Sequence, residues 1–270
     1  MSTHKPRKRF GQNFLHDGAI IERIIQAINP QPGQHLVEIG PGQGALTQSL
    51  LQRLGTLDAI ELDRDLIALL TEKYADQGLH LHSMDALKAD FCGLVNAGEK
   101  LRIIGNLPYN ISTPLLFHLF EQKACIADMH FMLQKEVVQR MAAGPGSKTY
   151  GRLSVMAQYH CQITPLFVVK PGAFSPPPKV ESMIVRLRPY EQPPVSIEQP
   201  DLLATVVGQA FSQRRKTLRN SIKSLLDEDA IRQCDIDPGI RPEQLSLAQF
   251  ACLTNRLSKT VPPGTPTTLD

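Results

Sequence analysis

The chain has 270 residues, 42% of them hydrophobic and 20% charged, with a formal net charge of +3. This length gives an expectation of one or two domains with a large core, and the composition excludes a disordered, fibrous or coiled-coil chain. No apolar run approaches the ~18 residues that a membrane span needs, and the basic segment Met1 to Phe10 has no apolar stretch behind it of the kind a secretory signal carries.

In chain order, Asp17 can cap a helix whose Ile20, Ile21, Ile24, Ile25 and Ile28 keep a 3.6-residue period until Pro30. His35 to Ile39 reads as a buried strand, followed by a glycine turn and a helix from Ala45 to Leu54. Leu57 to Leu62 is a second strand and Asp65 to Tyr74 a second helix. Strands follow at Leu79 to Ser83, Leu101 to Gly105 and Met129 to Leu133, with Pro114 in the first turn of an intervening helix that runs to Gln122. This alternation predicts an α/β fold, a parallel sheet with helices on both faces. Ile163 to Val169 and Ser182 to Leu187 read as a last strand pair around the proline-rich loop Pro171 to Pro178, so the sheet ends antiparallel.

Composition shifts near Pro189, where Pro193, Pro194 and Pro200 mark a linker. Beyond it, Leu202, Leu203, Val206, Val207, Ala210 and Phe211 keep helical spacing, as do Leu218, Ile222, Leu225 and Leu226, and two short helices fit before Lys259. The expected division is an α/β domain at 1–190, a small all-α domain at 191–260 and a Pro/Thr tail at 261–270, expected to be disordered.

Charge is more telling locally than globally. Lys5, Arg7, Lys8 and Arg9 occur without an acid, and no carboxylate stands between Glu136 and Glu181, a stretch with Arg140, Lys148, Arg152, Lys170 and Lys179. Arg214, Arg215, Lys216, Arg219 and Lys223 form a third run free of acids. Separate basic patches of this kind suit a phosphate-rich partner. The five cysteines are scattered, with no Cys-x-x-Cys, and are expected to be small buried thiols of a reducing compartment rather than zinc ligands. The eight histidines form no metal-ligand spacing, so no metal is expected.

Two motifs carry chemistry. Glu38-Ile-Gly-Pro-Gly-Gln-Gly44 follows a strand and opens a helix, which lets backbone approach a nucleotide closely. Glu61 ends the next strand, where a carboxylate can accept both ribose hydroxyls of an adenosine cofactor, and Asp85 follows the third strand within reach of an adenine amino group. These residues alone do not separate a nicotinamide cofactor from S-adenosylmethionine. The second motif, Asn106-Leu-Pro-Tyr109, stands at the carboxyl end of its strand on the same edge as the glycine turn. It resembles the Asn/Asp-Pro-Pro-Tyr signature of enzymes that methylate exocyclic amines of bases. The Asn106 side-chain oxygen and the Leu107 carbonyl can accept both amine hydrogens and stabilise the charge that develops on nitrogen, while Tyr109 stacks on the base.

Taken together, Lys8 to Leu15, Val37 to Thr47, Glu61 to Asp63, Asp85 to Leu87, Asn106 to Ser112, Tyr150 to Val155, Phe174 to Ser182 and Phe211 to Asn220 resemble the small-subunit ribosomal RNA adenine dimethyltransferases over almost the whole chain. The resemblance implies a class I S-adenosylmethionine-dependent, Rossmann-like methyltransferase that adds two methyl groups to N6 of each of two adjacent adenosines near the 3′ end of 16S rRNA. Its substrate would be an immature small subunit, and it would act as a cytoplasmic monomer. Asn13, Leu15, Gly40, Gly42, Glu61, Asp85 and Asn106 would hold the cofactor. Asn106, Leu107, Pro108 and Tyr109 would frame the target amine, with Phe174 on the other face of the adenine. Lys8, Arg9, Lys148, Arg152, Arg214, Arg215, Lys216 and Arg219 would meet RNA. The alternatives are a large-subunit rRNA adenine methyltransferase of the macrolide-resistance type, a non-catalytic assembly or transcription factor on the same fold, and a nicotinamide oxidoreductase. The blocks at Lys8 to Leu15 and Phe211 to Asn220 favour the small-subunit reading over the first, and an intact Asn106-Leu-Pro-Tyr109 argues against the other two.

Overall fold

A computed structural model of the chain describes residues 13–96, 98–213 and 215–260, so Lys8, Arg9, Arg214 and the tail 261–270 lie outside the described residues. The elements are β1 (Phe14–Leu15), α1 (Gly18–Ile28), β2 (His35–Ile39), α2 (Thr47–Leu54), β3 (Leu57–Glu61), α3 (Arg64–Lys73), β4 (Leu79–Ser83), β5 (Leu101–Asn106), α4 (Ser112–Glu121), β6 (Ile126–Gln134), α5 (Lys135–Met141), α6 (Arg152–His160), β7 (Cys161–Val169), β8 (Phe174–Ser175) and β9 (Ser182–Pro189). Four helices follow: α7 (Asp201–Ala210), α8 (Leu218–Ile222), α9 (Glu228–Arg232) and α10 (Leu247–Ser258).

Seven strands form one sheet in the order β4-β3-β2-β5-β6-β9-β7. The pairs from β4 through β6 are parallel and β6 with β9 is antiparallel, as expected for an α/β fold with an antiparallel end. β5 is buried along Leu101 to Gly105, as a strand covered on both faces must be. α1 turns Ile24, Ile25 and Ile28 into the core, and α2 adds Leu50 and Leu51 to the same cluster.

Helix ends are met by side chains. The Asp17 carboxylate accepts hydrogen bonds from the N–H groups of Ala19 and Ile20 at the start of α1. At the other end, the buried Arg102 donates to the Ile28 carbonyl at 2.6 Å and to the Gln34 side chain at 2.8 Å. The same guanidinium holds both oxygens of Asp128, at 2.8 and 3.2 Å. One cation thus satisfies carbonyls left open at a helix C-terminus and joins that end to β5 and β6. Burial raises the proton affinity of Asp128, but the Arg102 hydrogen bond and the charges of His130, Arg102 and Arg186 outweigh it and keep the carboxyl below its usual range.

The described residues form two compact units. The first runs through Val138 and resumes at Ile163–Pro189. The second takes Gln139–Gln162 and the residues from Tyr190 on. The division expected at residue 190 alone therefore needs correction, because 139–162 packs with the helical unit. The α6 helix was not anticipated because Leu153 to Ala157 and Tyr159 are all buried, which removes the one-sided stripe that marks a surface helix. Its Tyr150 neighbour meets the ring of Phe211 edge-on at 6.2 Å, and the Gly146 N–H donates to the Glu243 carbonyl at 2.7 Å. The expectation of five thiols is also corrected: Cys92 pairs with Cys125 and Cys234 with Cys252 in disulfides, leaving Cys161 free and buried. Separations of 33 and 18 residues hid these pairs, which the fold brings to Cα distances of 5.5 and 5.8 Å.

His130 on β6 is 4% exposed, and neither ring nitrogen finds a hydrogen-bond partner among the described residues. Burial pulls its pKa down to about 4, against the attraction of Asp128. A native pKa below the unfolded one means that the unfolded chain binds the extra proton first, so stability falls as pH drops through 6.5 and the loss is complete below about 4. Over that window the His130 contribution amounts to ~3 kcal/mol. Thermal melts of wild type and His130→Leu from pH 7 to 4.5 test this: the variant should lose part of the pH dependence, and parallel curves would remove His130 as its source.

Candidate active site

The carboxyl ends of β2 and β5 lie side by side, with Ile39 opposite Gly105. The glycine turn leaves β2 and the Asn106 motif leaves β5, so the two chemical motifs of the sequence share one edge. This closeness depends on Gly105, where a Cβ would stand 2.6 Å from the Ile39 carbonyl oxygen. Gly42 has φ of +59°, and a Cβ there would press on the Phe14 ring at 3.2 Å. That ring belongs to β1, which pairs antiparallel with β8: Phe14 faces Ser175 and Leu15 faces Phe174. The N-terminal segment is thereby laid against the glycine turn.

These elements enclose a cavity of about 360 Å³, within the range of small-molecule sites. Every residue expected to bind cofactor or frame the target lines it: Asn13, Leu15, Gly40, Gly42, Glu61, Asp85, Asn106, Leu107, Pro108, Tyr109 and Phe174. Their surroundings define what each offers. Glu61 Oε1 accepts from the N–H groups of Leu62 at 2.8 Å and Asp63 at 2.9 Å, which aims the carboxylate. Burial raises the Glu61 pKa, while the N–H groups of Asp63, Leu62 and Gly42 pull it back. Asp85 Oδ1 accepts from the Leu87 N–H at 3.0 Å and caps the short turn Ala86–Lys88. Asn106 Nδ2 donates to the Asn13 carbonyl at 3.2 Å, an arrangement that commits the amide nitrogen and directs the amide oxygen elsewhere. Phe174 lines the cavity but is 3% exposed, packed in the core cluster with Leu15 and Met132.

Two large apolar lining residues carry no site reading from the sequence, and Glu38 appears there only as the first residue of the glycine-turn motif. Leu62 and Met84 are large apolar side chains that stay 51% and 39% exposed, and both line the cavity. They give the cavity an apolar wall beside Glu61 and Asp85. Leu62 follows Glu61 directly and could have been found from that adjacency; Met84 carries no such signal. Glu38 is buried and accepts a 2.6 Å hydrogen bond from the Thr47 hydroxyl. Burial lifts its pKa to about 7, with the Thr47 hydrogen bond opposing and the nearby Glu61 charge reinforcing.

Of the residues expected to meet RNA, Lys148, Arg152, Arg215, Lys216 and Arg219 are exposed in the second unit. The Tyr150–Phe211 ring contact joins the basic stretch around Lys148 and Arg152 to the one that begins after Phe211. The run around Arg219 is free of acids along the chain but not in space, since Arg219 meets Glu228 at 3.3 Å across nine residues. Both side chains are about half exposed, so the pair is weak. No group of three or more metal-ligating side chains is arranged around a metal position among the described residues, and no helix there is long and apolar enough to cross a membrane.

The sheet order, the glycine turn and the cavity at the carboxyl ends of β2 and β5 define the fold of a class I S-adenosylmethionine-dependent methyltransferase. More narrowly, the chain belongs to the ribosomal RNA adenine dimethylase family, whose model it matches over residues 3–259. It is 59% identical over 257 residues to the ribosomal RNA small subunit methyltransferase A of Pseudomonas aeruginosa, covering 95% of this chain and 96% of that one. It is 58% identical over 252 residues to the protein of the same name from Nitrosococcus oceani, covering 93% and 96%. Among solved structures, a dimethyladenosine transferase from Plasmodium falciparum superposes with a TM-score of 0.71 at 26% identity, over 88% of this chain and 95% of that one. The 23S rRNA methyltransferase ErmE shares the fold, with a TM-score of 0.70 at 24% identity over 91% and 99%.

Glu61→Ala removes the charged acceptor that its own backbone aims into the cavity. Hydrogen bonds to a charged group contribute ~1.5–3 kcal/mol, so S-adenosylmethionine affinity should fall roughly 10- to 150-fold. Calorimetric titration measures it, and an unchanged affinity removes Glu61 from ribose binding.

Proposed function

We propose that the protein dimethylates N6 of two adjacent adenosines in the 3′-terminal hairpin of 16S rRNA, acting as a monomer on an immature small ribosomal subunit in the cytoplasm. The observation that carries this reading is the convergence of the glycine turn, Glu61, Asp85 and Asn106-Leu-Pro-Tyr109 on one cavity in a member of the rRNA adenine dimethylase family. The small-subunit substrate rests on the relatives named for it, at 54–59% identity over nearly the whole chain.

The cavity suits S-adenosylmethionine. Gly42 leaves backbone where a Cβ would crowd Phe14, Glu61 and Asp85 supply acceptors for hydroxyls and an amine, and Leu62 and Met84 flank them with apolar surface. When bound, the cofactor supplies an electrophilic methyl group on its sulfonium. Asn13 and Leu15 hold the N-terminal segment over the cavity, tied down by the Asn106 amide.

The target amine is a poor nucleophile, because its lone pair is delocalised into the ring. Asn106 Oδ1 and the Leu107 carbonyl accept its two hydrogens, favour a pyramidal nitrogen and stabilise the positive charge that builds there. Tyr109 stacks on the base, and Phe174 borders the same space. The methylated ammonium loses its proton readily, so no strong base is required of the protein. Lys148, Arg152, Arg215 and Lys216 contact phosphates and supply affinity independent of sequence.

Asn106→Ala should lower turnover by ~10²–10³, the cost of one preorganised partner at a developing charge, with a smaller effect on subunit binding. Asn106→Asp keeps an oxygen acceptor and should retain more activity than Asn106→Ala. Methyl transfer from labelled cofactor to unmethylated small subunits, with the modified nucleotides mapped, tests both variants and the substrate. Equal loss in the two variants at normal cofactor and subunit affinity would contradict the acceptor mechanism.

Neutralising Lys148, Arg215 and Lys216 together should weaken subunit binding and flatten its salt dependence by about 2–3 units of slope. Binding isotherms from low to moderate salt decide this; an unchanged slope means that these cations face away from RNA.

A further inference from the structure

The block Phe174 to Ser182 ends in a serine to which the mechanism above gives no part. Ser182 opens β9, is 1% exposed and lies opposite Gln134 of β6. Its neighbour Glu181 accepts the Lys135 backbone N–H at 2.9 Å and meets Lys135 Nζ at 2.7 Å, so the start of the strand is held on both main chain and side chain. From this position the Ser182 hydroxyl meets the Tyr109 hydroxyl at 3.1 Å, across 73 residues. Ser182 does not line the cavity; Tyr109 does. At its other end Tyr109 is fixed by its carbonyl, which accepts a hydrogen bond from the buried Ser112 hydroxyl at 3.1 Å.

We infer that Ser182 is a positioning residue for methyl transfer, holding the Tyr109 ring in the plane in which it stacks the target base. The inference rests on the stacking role given to Tyr109 under the proposed function. A half-buried phenol on an open wall has two side-chain torsions to settle. A partner at the far end of the ring settles both, and a partner carried by a paired, buried strand position moves little. Burying a serine hydroxyl beside a core strand costs free energy unless it is hydrogen-bonded, and here its partner is the tyrosine that faces the cavity. An alanine would fill the same strand position without that cost, so the hydroxyl is accounted for by what it does to Tyr109. The ring orientation matters at the transfer step more than at binding, because basic residues supply most of the affinity for RNA.

The test uses the full chain with unmethylated small subunits. Ser182→Ala and Tyr109→Phe each delete one half of the hydrogen bond and keep the ring. Each should lower kcat about three- to tenfold, the equivalent of one neutral hydrogen bond, while KM for subunits and affinity for S-adenosylmethionine stay within about twofold. The double variant should be no slower than the slower single one, because both remove the same contact. Ser182→Thr, which keeps the hydroxyl, should recover most of the rate. Wild-type kcat in Ser182→Ala, or additive losses in the double variant, overturns the inference. If Ser182→Ala also loses cofactor affinity, Tyr109→Phe decides alone: a lowered kcat with normal cofactor affinity supports the inference and a normal kcat overturns it. Tyr109→Ala separates this result from the reading beneath it. If Tyr109→Ala turns over normally, the stacking role fails and the inference with it. If Tyr109→Ala is crippled while Ser182→Ala and Tyr109→Phe are normal, stacking stands and only the role of Ser182 falls.

Discussion

The parallel register of β2 and β5 is the constraint on which the site depends. These strands are separated by 61 residues between their last and first positions, yet Ile39 and Gly105 end up opposite each other. The chain first builds outward through β3 and β4, then returns across β2 to lay down β5. At such a reversal the loops that leave the two strands diverge to opposite faces and open a crevice at the carboxyl edge. The glycine turn takes one wall and Asn106-Leu-Pro-Tyr109 the other. A side chain at position 105 would force the strands apart where the walls must meet.

Charge is arranged differently at the two ends of the central strands. At the start of β5, Arg102 is paired with Asp128 and caps the carbonyls that close α1, which makes that end a compensated, rigid anchor. At the carboxyl end, Glu38 and Glu61 share the cavity wall, and burial pushes both toward the protonated form. The compensation they do receive comes from hydrogen-bond donors of the protein, the Thr47 hydroxyl for Glu38 and backbone N–H groups for Glu61. Three buried residues of one strand, Ile103 to Gly105, connect this anchor to Asn106.

The helical unit solves a different problem, the gathering of basic residues that are far apart in the chain. Gln139–Gln162 leaves the sheet and joins the residues after Tyr190, and the Tyr150–Phe211 contact fixes one stretch beside the other. Phosphate binding in general needs density of charge rather than a particular geometry, and the exposed Lys148, Arg152, Arg215 and Lys216 of this unit stand on short helices and turns. The Arg219–Glu228 pair shows how a count of nearby acids along the chain misleads: the acid arrives from the next helix.

Asn13, Leu15 and Phe174 followed only from a family resemblance; the amino-acid sequence by itself determined the fold class, the sheet's antiparallel end, the two motifs and the place of Gly40, Gly42, Glu61, Asp85 and Asn106 to Tyr109 among the residues that line the cavity. These are written in short-range signals: period-2 and period-3.6 apolar spacing, a glycine turn between strand and helix, and a four-residue loop after a buried strand. Only the tertiary structure decided the pairing of Phe14–Leu15 with Phe174–Ser175, the transfer of α6 to the helical unit, the partners of four cysteines and the contacts that aim Asn106 and Tyr109. Asn106 reaches Asn13 across 93 residues and Tyr109 reaches Ser182 across 73. Contacts of that range leave no periodic trace in either segment, because each residue is chosen for a partner that only the folded sheet brings near.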